Sequence, residues 1–264
     1  MNFASLKFGS PFFNSLLFSV ILACVGHQAA AQTVVALGTA KSFAVLGGTS
    51  VVNSGSTILS GDLGVSPGAS ITGFPPGIVT GGAIYINDAV AIQAHNDAVA
   101  AYNQLAGLTP TANLTGQNLG GLTLSQGVYF YSAAAAFTSG ILTLDGQNQA
   151  APLFVFQIGS TLNTTGTTSF NFINGATASD VWFQVGSSAT LGLNTAFAGT
   201  IISLVSDTLL TGVSVKGRII ALTGTVTLDS NVITNVPEPA TTTLLVSAFA
   251  AVAVCVLRRR NAAT

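Results

Sequence analysis

The sequence predicts an all-β-dominated protein, a β-solenoid of triangular cross-section with one long α-helix packed alongside it. Three observations lead to this fold class. They are an 18-residue repeat, short β-branched segments that end at Gly or Asn, and a single segment with helical periodicity. Repeats near 20 residues built from such segments are typical of solenoids, in which each repeat forms one coil. Each coil would contain three short strands.

The repeat is clearest in the C-terminal half of the chain. Residues 188–205 read SATLGLNTAFAGTIISLV and residues 206–223 read SDTLLTGVSVKGRIIALT. The Thr-Leu pairs of the two strings align, and a shorter turn, GTVTLDSNVI, follows. FVFQIGSTL and VWFQVGSSATL form an earlier matching pair, although an insertion between them breaks strict periodicity. These alignments define the successive coils.

The first strand type is almost continuously apolar, as in FVFQI, VWFQV, TIISLV and RIIAL. Such runs indicate strands buried on both faces, so a second layer must cover the side of the solenoid that they form. The segment from Asn87-Asp88, which can cap a helix, to Gly107 is the candidate. Its stripe of Ile92, Val99, Tyr102 and Ala106, with alanines flanking it, is predicted to lie against that side.

Two further sides are predicted to stay open to solvent. On one, Leu points inward and the hydroxyl residues point outward by alternation. These outward residues are Ser188, Thr190, Ser206, Thr208, Thr225 and Thr227. The other side would carry TGTT from Thr165, TAFA from Thr195 and TGVS from Thr211. A rigid lattice of hydroxyls and methyls suits a rigid, repetitive partner such as ice. The alternative is that Thr is there because β-branched residues fit exposed strands.

Both ends of the chain are predicted to be targeting segments. Residues 1–31 have Lys7, an apolar stretch at 16–25 and three alanines before Gln32, as in a secretion signal peptide. Residues 237–264 follow Val236 with Pro-Glu-Pro, an apolar run at 240–257 and three arginines. This tail resembles the PEP-CTERM sorting signal of Gram-negative bacteria. An ordinary transmembrane anchor is the alternative. The domain between, residues 32–236, is expected to be secreted or held at the cell surface or in the extracellular matrix, after transient membrane insertion through the tail.

Composition argues against several function classes. Cys24 and Cys255 both lie in the targeting segments, so the domain is expected to be a monomer without disulfides. Its basic residues are Lys41, Lys216 and Arg218, too few for a nucleic-acid surface.

Catalysis and metal binding also lack support in the sequence. His95 is the single histidine of the domain and lies in the predicted helix, which is a poor basis for a metal site or a general base. The aspartates are interpreted as turn residues beside Gly, Asn or Ser. They are Asp62, Asp145, Asp180, Asp207 and Asp229. The sequence thus predicts neither an enzyme nor a cofactor nor a metal site.

Four segments of the domain resemble the microbial ice-binding-like domain family. They are SGDLGVSPGASITGFPPG from Ser60, GLTLSQGVYF from Gly121, LFVFQIGSTL from Leu153 and VKGRIIALTGTVTLD from Val215. The resemblance implies a right-handed, discontinuous solenoid with a parallel helix. It also implies that the N-terminal segment supplies a coil stacked beside the C-terminal one.

In that family the ice-binding face usually carries a Thr-(Ala/Gly)-x-(Thr/Asn) pattern. The resemblance assigns it to Thr165 with Thr168, to Thr195, and to Thr211 with Ser214 in the last position. Ala198 replaces the final polar residue after Thr195, so the match there is half complete. Thr49 would join the same face beside the last coil.

Two functions remain open at this point. The first is adsorption to ice, which would inhibit ice growth or recrystallisation outside the cell. The second is a non-catalytic structural or adhesive role in the extracellular polysaccharide matrix. Trp182 lies in an apolar strand and is expected to be buried, so the aromatic platform that favours glycan binding is missing. Ice is therefore the favoured partner, with exopolysaccharide and the sorting machinery as further expected partners.

Overall fold

A computed structural model describes residues 35–166 and 168–237 of the chain. The expected signal peptide and the tail beyond Pro237 lie outside the described residues. Within the described ranges, no helix has the length and apolar character needed to cross a membrane.

Residues 35–237 contain a β-solenoid whose coils each pass through three sides, as predicted. Neighbouring coils pair in parallel, as Phe154–Ile158 does with Val181–Val185 and Ala196–Ser203 does with Ser214–Ala221. We name the sides by what they carry: the helix side, the threonine side and the third side. The fold is therefore a set of parallel sheets with one long helix alongside.

The helix side is a nine-strand path in the order β8, β10, β13, β16, β18, β20, β1, β4, β7. These strands are β1 (Phe43–Gly47), β4 (Asp62–Val65), β7 (Ile84–Ile86), β8 (Ala112–Asn113), β10 (Gly127–Tyr131), β13 (Phe154–Ile158), β16 (Val181–Val185), and the second halves of β18 (Ala196–Ser203) and β20 (Ser214–Ala221). All five residues of β13 and of β16 are buried, as the apolar runs predict.

The threonine side is one unbroken sheet of seven strands in the order β11, β14, β17, β19, β21, β2, β5. They are β2 (Ser50–Asn53), β5 (Ser70–Thr72), β11 (Ala135–Phe137), β14 (Leu162–Thr164), β17 (Ala189–Leu191), β19 (Asp207–Leu209) and β21 (Thr225–Leu228). Its leucines point inward, and Leu191, Leu209 and Leu228 are buried.

The third side is divided in two. One part is the three-stranded sheet β15, β12, β9, and the other continues from the first halves of β18 and β20 through β22, β3 and β6. The strands are β3 (Ile58–Ser60), β6 (Ile78–Thr80), β9 (Thr123–Ser125), β12 (Gly140–Asp145), β15 (Thr168–Ile173) and β22 (Val232–Thr234). Strands β18 and β20 therefore turn the corner from the third side to the helix side.

That corner depends on two stacked glycines. Gly199 and Gly217 are ladder partners with φ of 114° and 152°. A Cβ on Gly217 would lie 1.9 Å from the carbonyl oxygen of Gly199. Only glycine allows two bending strands to stack at this distance.

The N-terminal segment closes the solenoid in a discontinuous order. Strands β1, β2 and β3 pair with β20, β21 and β22, so the first coil in sequence lies beside the last. This confirms the stacking that the family resemblance implies. The arrangement pairs the ladder edge that β20–β22 would otherwise expose.

A ladder of aromatic rings fills the solenoid. Phe156 and Phe183 stack with ring centroids 4.6 Å apart, and Phe197 lies 5.0 Å beyond Phe183. Phe170 packs edge-on against Phe197 at 5.2 Å. Phe156 and Phe183 share a ladder position that Ile201 takes in the next coil, so Phe197 and Phe170 extend the aromatic core from the third side.

The helix α1 (Ala89–Ala106) lies on the helix side with the predicted ends, but it buries a different stripe. Asp88 caps it by accepting a hydrogen bond from the Ala91 N–H at 2.9 Å. The buried residues are Ala91, Ala94, Ala98, Ala101 and Leu105. The predicted stripe is partly wrong: Ile92 and Ala106 are exposed, whereas Val99 and Tyr102 are half-buried and pack against the core between the helix and the sheet. Alanines let the helix axis approach the sheet closely, which larger residues in the stripe would prevent.

One glutamine of the apolar strands, Gln157, hydrogen-bonds to the end of the helix. Gln157 Nε2 donates to the carbonyl oxygens of Leu105 at 2.7 Å and Leu108 at 2.8 Å, at the C-terminal end of α1. Its ladder neighbour Gln184 is also buried, and Trp182 is 3% exposed, as expected from its place in an apolar strand. Gln157 thus satisfies carbonyls that a helix end leaves unpaired.

Candidate functional site

The outward side chains of the threonine side form two parallel rows. In the first row each residue is the ladder partner of the next. It contains Ala136, Asn163, Thr190, Thr208, Thr227, Val52 and Thr72. The second row contains Ser188, Ser206, Thr225, Ser50 and Ser70. The spacing within a row is the strand separation, about 4.8 Å. We call these two rows together the threonine face.

The second row is held in place by its own hydrogen bonds. Ser50 Oγ lies 2.8 Å from Thr225 Oγ1, and the N–H of Thr225 donates to Ser206 Oγ at 3.2 Å. The N–H of Ser206 donates in turn to Ser188 Oγ at 3.2 Å. In the first row, the hydroxyls of Thr190, Thr208 and Thr227 have no partner within the described part of the chain. One row is thus fixed, and the other presents free hydroxyls and methyls.

The threonine face is continuous and uncharged. Its seven strands include one ionisable residue, Asp207, which points inward and is 1% exposed. The third side, by contrast, is interrupted between β15 and β18 and exposes Lys216. Of the two open sides, the threonine side is therefore the continuous, regular one.

The predicted site residues do not share one plane. Thr49 is exposed at the corner between the helix and threonine sides, where its Oγ1 lies 3.1 Å from Thr225 Oγ1. Thr165 and Thr211 are exposed at the opposite corner, and Thr211 donates to the Asp229 carboxylate. Ser214 is exposed at the start of β20 on the third side. Thr49, Thr165 and Thr211 thus border the threonine face, and Ser214 lies beyond it.

Thr168 and Thr195 are corrections to the predicted set, because both point into the solenoid. Thr195 is fully buried, and its hydroxyl lies 2.9 Å from Thr164 Oγ1 and donates to the Gly192 carbonyl at 2.7 Å. Thr168 is 2% exposed. The turn before Thr195 contains Asn194 at φ 57°, and this left-handed residue resets the inward and outward alternation. Neither side chain can touch a flat partner outside.

The N-terminal part of the face was missing from the sequence prediction. Ser50, Val52, Ser70 and Thr72 continue the two rows on β2 and β5. Both strands show the same alternation as TVT in β21, with an inward Val51 or Ile71 between outward residues. This alternation is visible in the sequence and could have identified β2 and β5 as part of the face. Their position beside β21, however, depends on the discontinuous order of the coils.

Asp180 and His95 are two titratable side chains of the described residues that lie outside the seven strands of the threonine side. Asp180 is not a simple turn residue, since it is 4% exposed and accepts from the N–H and hydroxyl of Thr177. Burial raises the pKa of Asp180, and the Thr177 hydrogen bonds oppose that effect. Burial lowers the pKa of His95 on α1. Asp180 thus caps the short turn that begins at Thr177, and His95, whose buried Nδ1 has no partner in the described part of the chain, lies on the helix.

Comparison with known proteins agrees with this geometry. A model of the "Ice-binding-like" family matches residues 45–234. An ice-binding protein of Nostoc sp. (strain HG1) is 48% identical over 239 residues, which cover 84% of this chain and 88% of that protein. The crystal structure of an ice-binding protein from an Antarctic biological consortium superposes with a TM-score of 0.74 at 44% identity. It covers 78% of this chain and 93% of that one.

A second crystal structure, of an ice-binding protein from the Antarctic ascomycete Antarctomyces psychrotrophicus, gives a TM-score of 0.72. Its identity is 40%, with coverage of 77% of this chain and 99% of that one. The matched residues extend from β1 to the end of β22, which is the whole solenoid with its helix. The chain belongs to the ice-binding-like family.

Proposed function

We propose that this protein adsorbs to ice through the threonine face and thereby slows ice growth or recrystallisation. The observation that carries the proposal is the seven-stranded row of small, uncharged outward side chains at one-strand spacing. A rigid lattice of this kind matches a crystalline partner over many weak contacts at once. The names of the relatives support the same partner.

Adsorption to ice needs flatness more than any single hydrogen bond. The face combines free hydroxyls in the first row with exposed apolar residues at its corners. Leu193 and Leu210 lie at one corner, and Leu204 and Val205 at the other. Methyl groups order neighbouring water, and hydroxyls anchor it. A side chain that rises above the plane would separate all of these groups from the ice.

Tyrosine substitutions test the face directly. Thr208→Tyr places a ring at the centre of the first row and is expected to abolish ice affinity and recrystallisation inhibition. Because the side chain points to solvent, the free energy of unfolding should change by no more than about 0.5 kcal/mol. Ser214→Tyr, on the third side, is the matched control and should keep wild-type activity.

The same experiment distinguishes the alternatives. Loss of activity in Ser214→Tyr or Thr211→Tyr together with full activity in Thr208→Tyr would assign the site to the corner and third side. Absence of ice affinity in the wild-type domain would contradict the proposal, and a structural role in the polysaccharide matrix would replace it. A pull-down on purified exopolysaccharide would then test that role.

We further propose that the domain acts outside the cell, exported by residues 1–31 and directed by the tail after Val236. The apolar run and the three arginines of the tail support recognition by a sorting machinery. Replacing the arginines with glutamine should place the protein in a different cell fraction from the wild type after cell fractionation. Unchanged release of this variant to the medium would contradict a sorting role for the tail.

A further inference from the structure

In four successive coils, two inward residues four positions apart fill the corner between the helix side and the threonine side. One ends a helix-side strand and the other begins a threonine-side strand. Successive coils use Tyr131 with Ala135, Ile158 with Leu162, Val185 with Ala189, and then Ser203 with Asp207. A hydroxyl and a carboxyl group thus occupy a position that the preceding coils fill without a charge.

Asp207 is enclosed almost completely. Its Oδ1 lies 2.5 Å from Ser203 Oγ, and Ser203 is itself fully buried. The other carboxyl oxygen, Oδ2, is buried with no partner in the described part of the chain. The ladder neighbours of Asp207 are Ala189 and Val226. A full negative charge here would lack the hydrogen bonds that make burial tolerable.

No charged group faces Asp207 from the described elements around it. Strands β17, β18 and β21 contain no charged residue. On β20, Lys216 is exposed, and Arg218 reaches the Lys41 and Val236 carbonyls outside the solenoid. Burial raises the pKa of Asp207 to about 8, against smaller opposing effects of the Ser203 hydrogen bond and of the nearby Ala189 N–H, which itself donates to the Ser206 carbonyl. The group is therefore neutral at neutral pH.

The position of Asp207 links its protonation to the threonine face. It precedes Thr208, whose strand β19 is the middle one of the seven. We infer that Asp207 is a positioning residue for the threonine face. While protonated it packs with Ser203 in the corner and holds Thr208 in the plane, and once ionised it draws water into the corner and displaces β19. The proton is released to solvent.

This inference rests on the proposed function for its effect on ice, but its structural part can be measured independently. Amide hydrogen exchange of Thr208 and Leu209 reports the order of β19, and ice affinity reports the face. Both would be followed from about pH 6 to about pH 10 in the wild-type domain and in Asp207→Asn, which keeps the shape without the charge. Asp145→Asn, at a corner of the third side, is the control for loss of one carboxylate.

In the wild type, we expect the protection factors at β19 and the ice affinity to fall together, by roughly tenfold or more, around the pKa of about 8. In Asp207→Asn, the protection factors and the ice affinity should not change with pH across this range. In Asp145→Asn, both should fall as they do in the wild type. Equal profiles in wild type and Asp207→Asn would overturn the inference.

A second variant covers the case in which Asp207→Asn does not fold. Ser203→Ala removes the hydrogen bond that favours the ionised form, so the transition should move to higher pH. A transition that does not move would contradict the assignment to Asp207. Absence of ice affinity at pH 6 with the exchange transition intact would refute the ice proposal while the positioning of β19 stands.

Discussion

At the scale of single residues, Arg218 joins the two ends of the domain. It is 1% exposed, and its guanidinium donates to the Lys41 carbonyl at 2.9 Å and the Val236 carbonyl at 2.6 Å. It also donates to Thr200 Oγ1 at 3.3 Å. Lys41 precedes the first strand and Val236 follows the last one, so one side chain bridges segments that enter and leave the solenoid. A planar fork with several donors suits this task.

Replacing Arg218 should therefore destabilise the domain. Arg218→Ala leaves the Lys41 and Val236 carbonyls without their donor and should cost about 2–4 kcal/mol of unfolding free energy in urea denaturation. Arg218→Lys keeps a positive charge but offers one ammonium in place of the fork, and should recover only part of the loss. A wild-type free energy of unfolding in Arg218→Ala would show that the hydrogen bonds of Arg218 do not stabilise the domain.

Asp207 predicts an unusual dependence of stability on pH. Its pKa is about 8 in the folded protein against 3.8 as the ordinary value, so the folded state keeps a proton that the unfolded state releases between these values. The free energy of unfolding should therefore fall as the pH rises from about 4 to about 8, and change no further from this group above that.

The difference between wild type and Asp207→Asn isolates this effect in urea denaturation at several pH values. The free energy of unfolding of Asp207→Asn should rise steadily relative to that of the wild type between about pH 4 and about pH 8, because its amide does not ionise. A constant difference across the window would mean that Asp207 is already ionised in the folded protein.

At the scale of elements, the helix contact depends on small residues. Ala94 and Ala98 are fully buried against the helix side, whereas Ala100 on the same helix is exposed. A leucine at the contact would push the helix away from Trp182 and its neighbours. The same leucine on the exposed face would meet only water.

Ala98→Leu should thus lower the free energy of unfolding by about 1–3 kcal/mol through overpacking. Ala100→Leu is the matched control and should change it by no more than about 0.5 kcal/mol. Thermal unfolding followed by circular dichroism at a helical wavelength measures both. Equal melting temperatures in Ala98→Leu and Ala100→Leu would mean that α1 is not docked through its alanine stripe.

The sequence predicted the positions of the strands and the helix more accurately than it predicted which side chains point inward. Apolar runs identified the helix side, and the cap at Asp88 and the end at Gly107 bounded α1. The helical stripe was partly wrong, because Val99 and Tyr102 pack against the core but the flanking alanines form its buried centre. Thr195 was misplaced because counting by two fails across a turn. Its ladder position corresponds to Val213 in the next coil, a buried residue that carried the correct signal.

Asp207 shows the limit of local interpretation more clearly. Beside Ser206 it looks like a turn residue, yet its partners along the sheet, Ala189 and Val226, are both buried. The repeat alignment pairs Asp207 with Ala189 and so indicates an inward position. No local pattern shows that a carboxyl group can be accommodated there, since that depends on Ser203 across the corner.

At the scale of the whole domain, the order of coils in space differs from their order in the chain. Val45 and Leu46 of β1 pair with Ile219 and Ile220 of β20, more than 170 positions away. Composition and periodicity do not indicate this junction, and only the family resemblance implied it. The last coil of the repeat is thus covered by the first segment of the domain, which makes the two ends depend on each other.

Removing the N-terminal coils should consequently abolish cooperative folding. A chain of residues 87–236 keeps the repeat and the helix but uncovers Ile219 and Ile220, both fully buried in the domain, and leaves the ladder edges of β20, β21 and β22 unpaired. It should show no single sharp transition in urea and should aggregate, whereas residues 32–236 unfold in one step as a monomer. A repeat array with independent coils would behave differently, since its shortened form would unfold cooperatively with a midpoint close to that of the longer chain. That result would mean that the junction of β1 with β20 contributes little to stability, and that the C-terminal coils alone can support the threonine face.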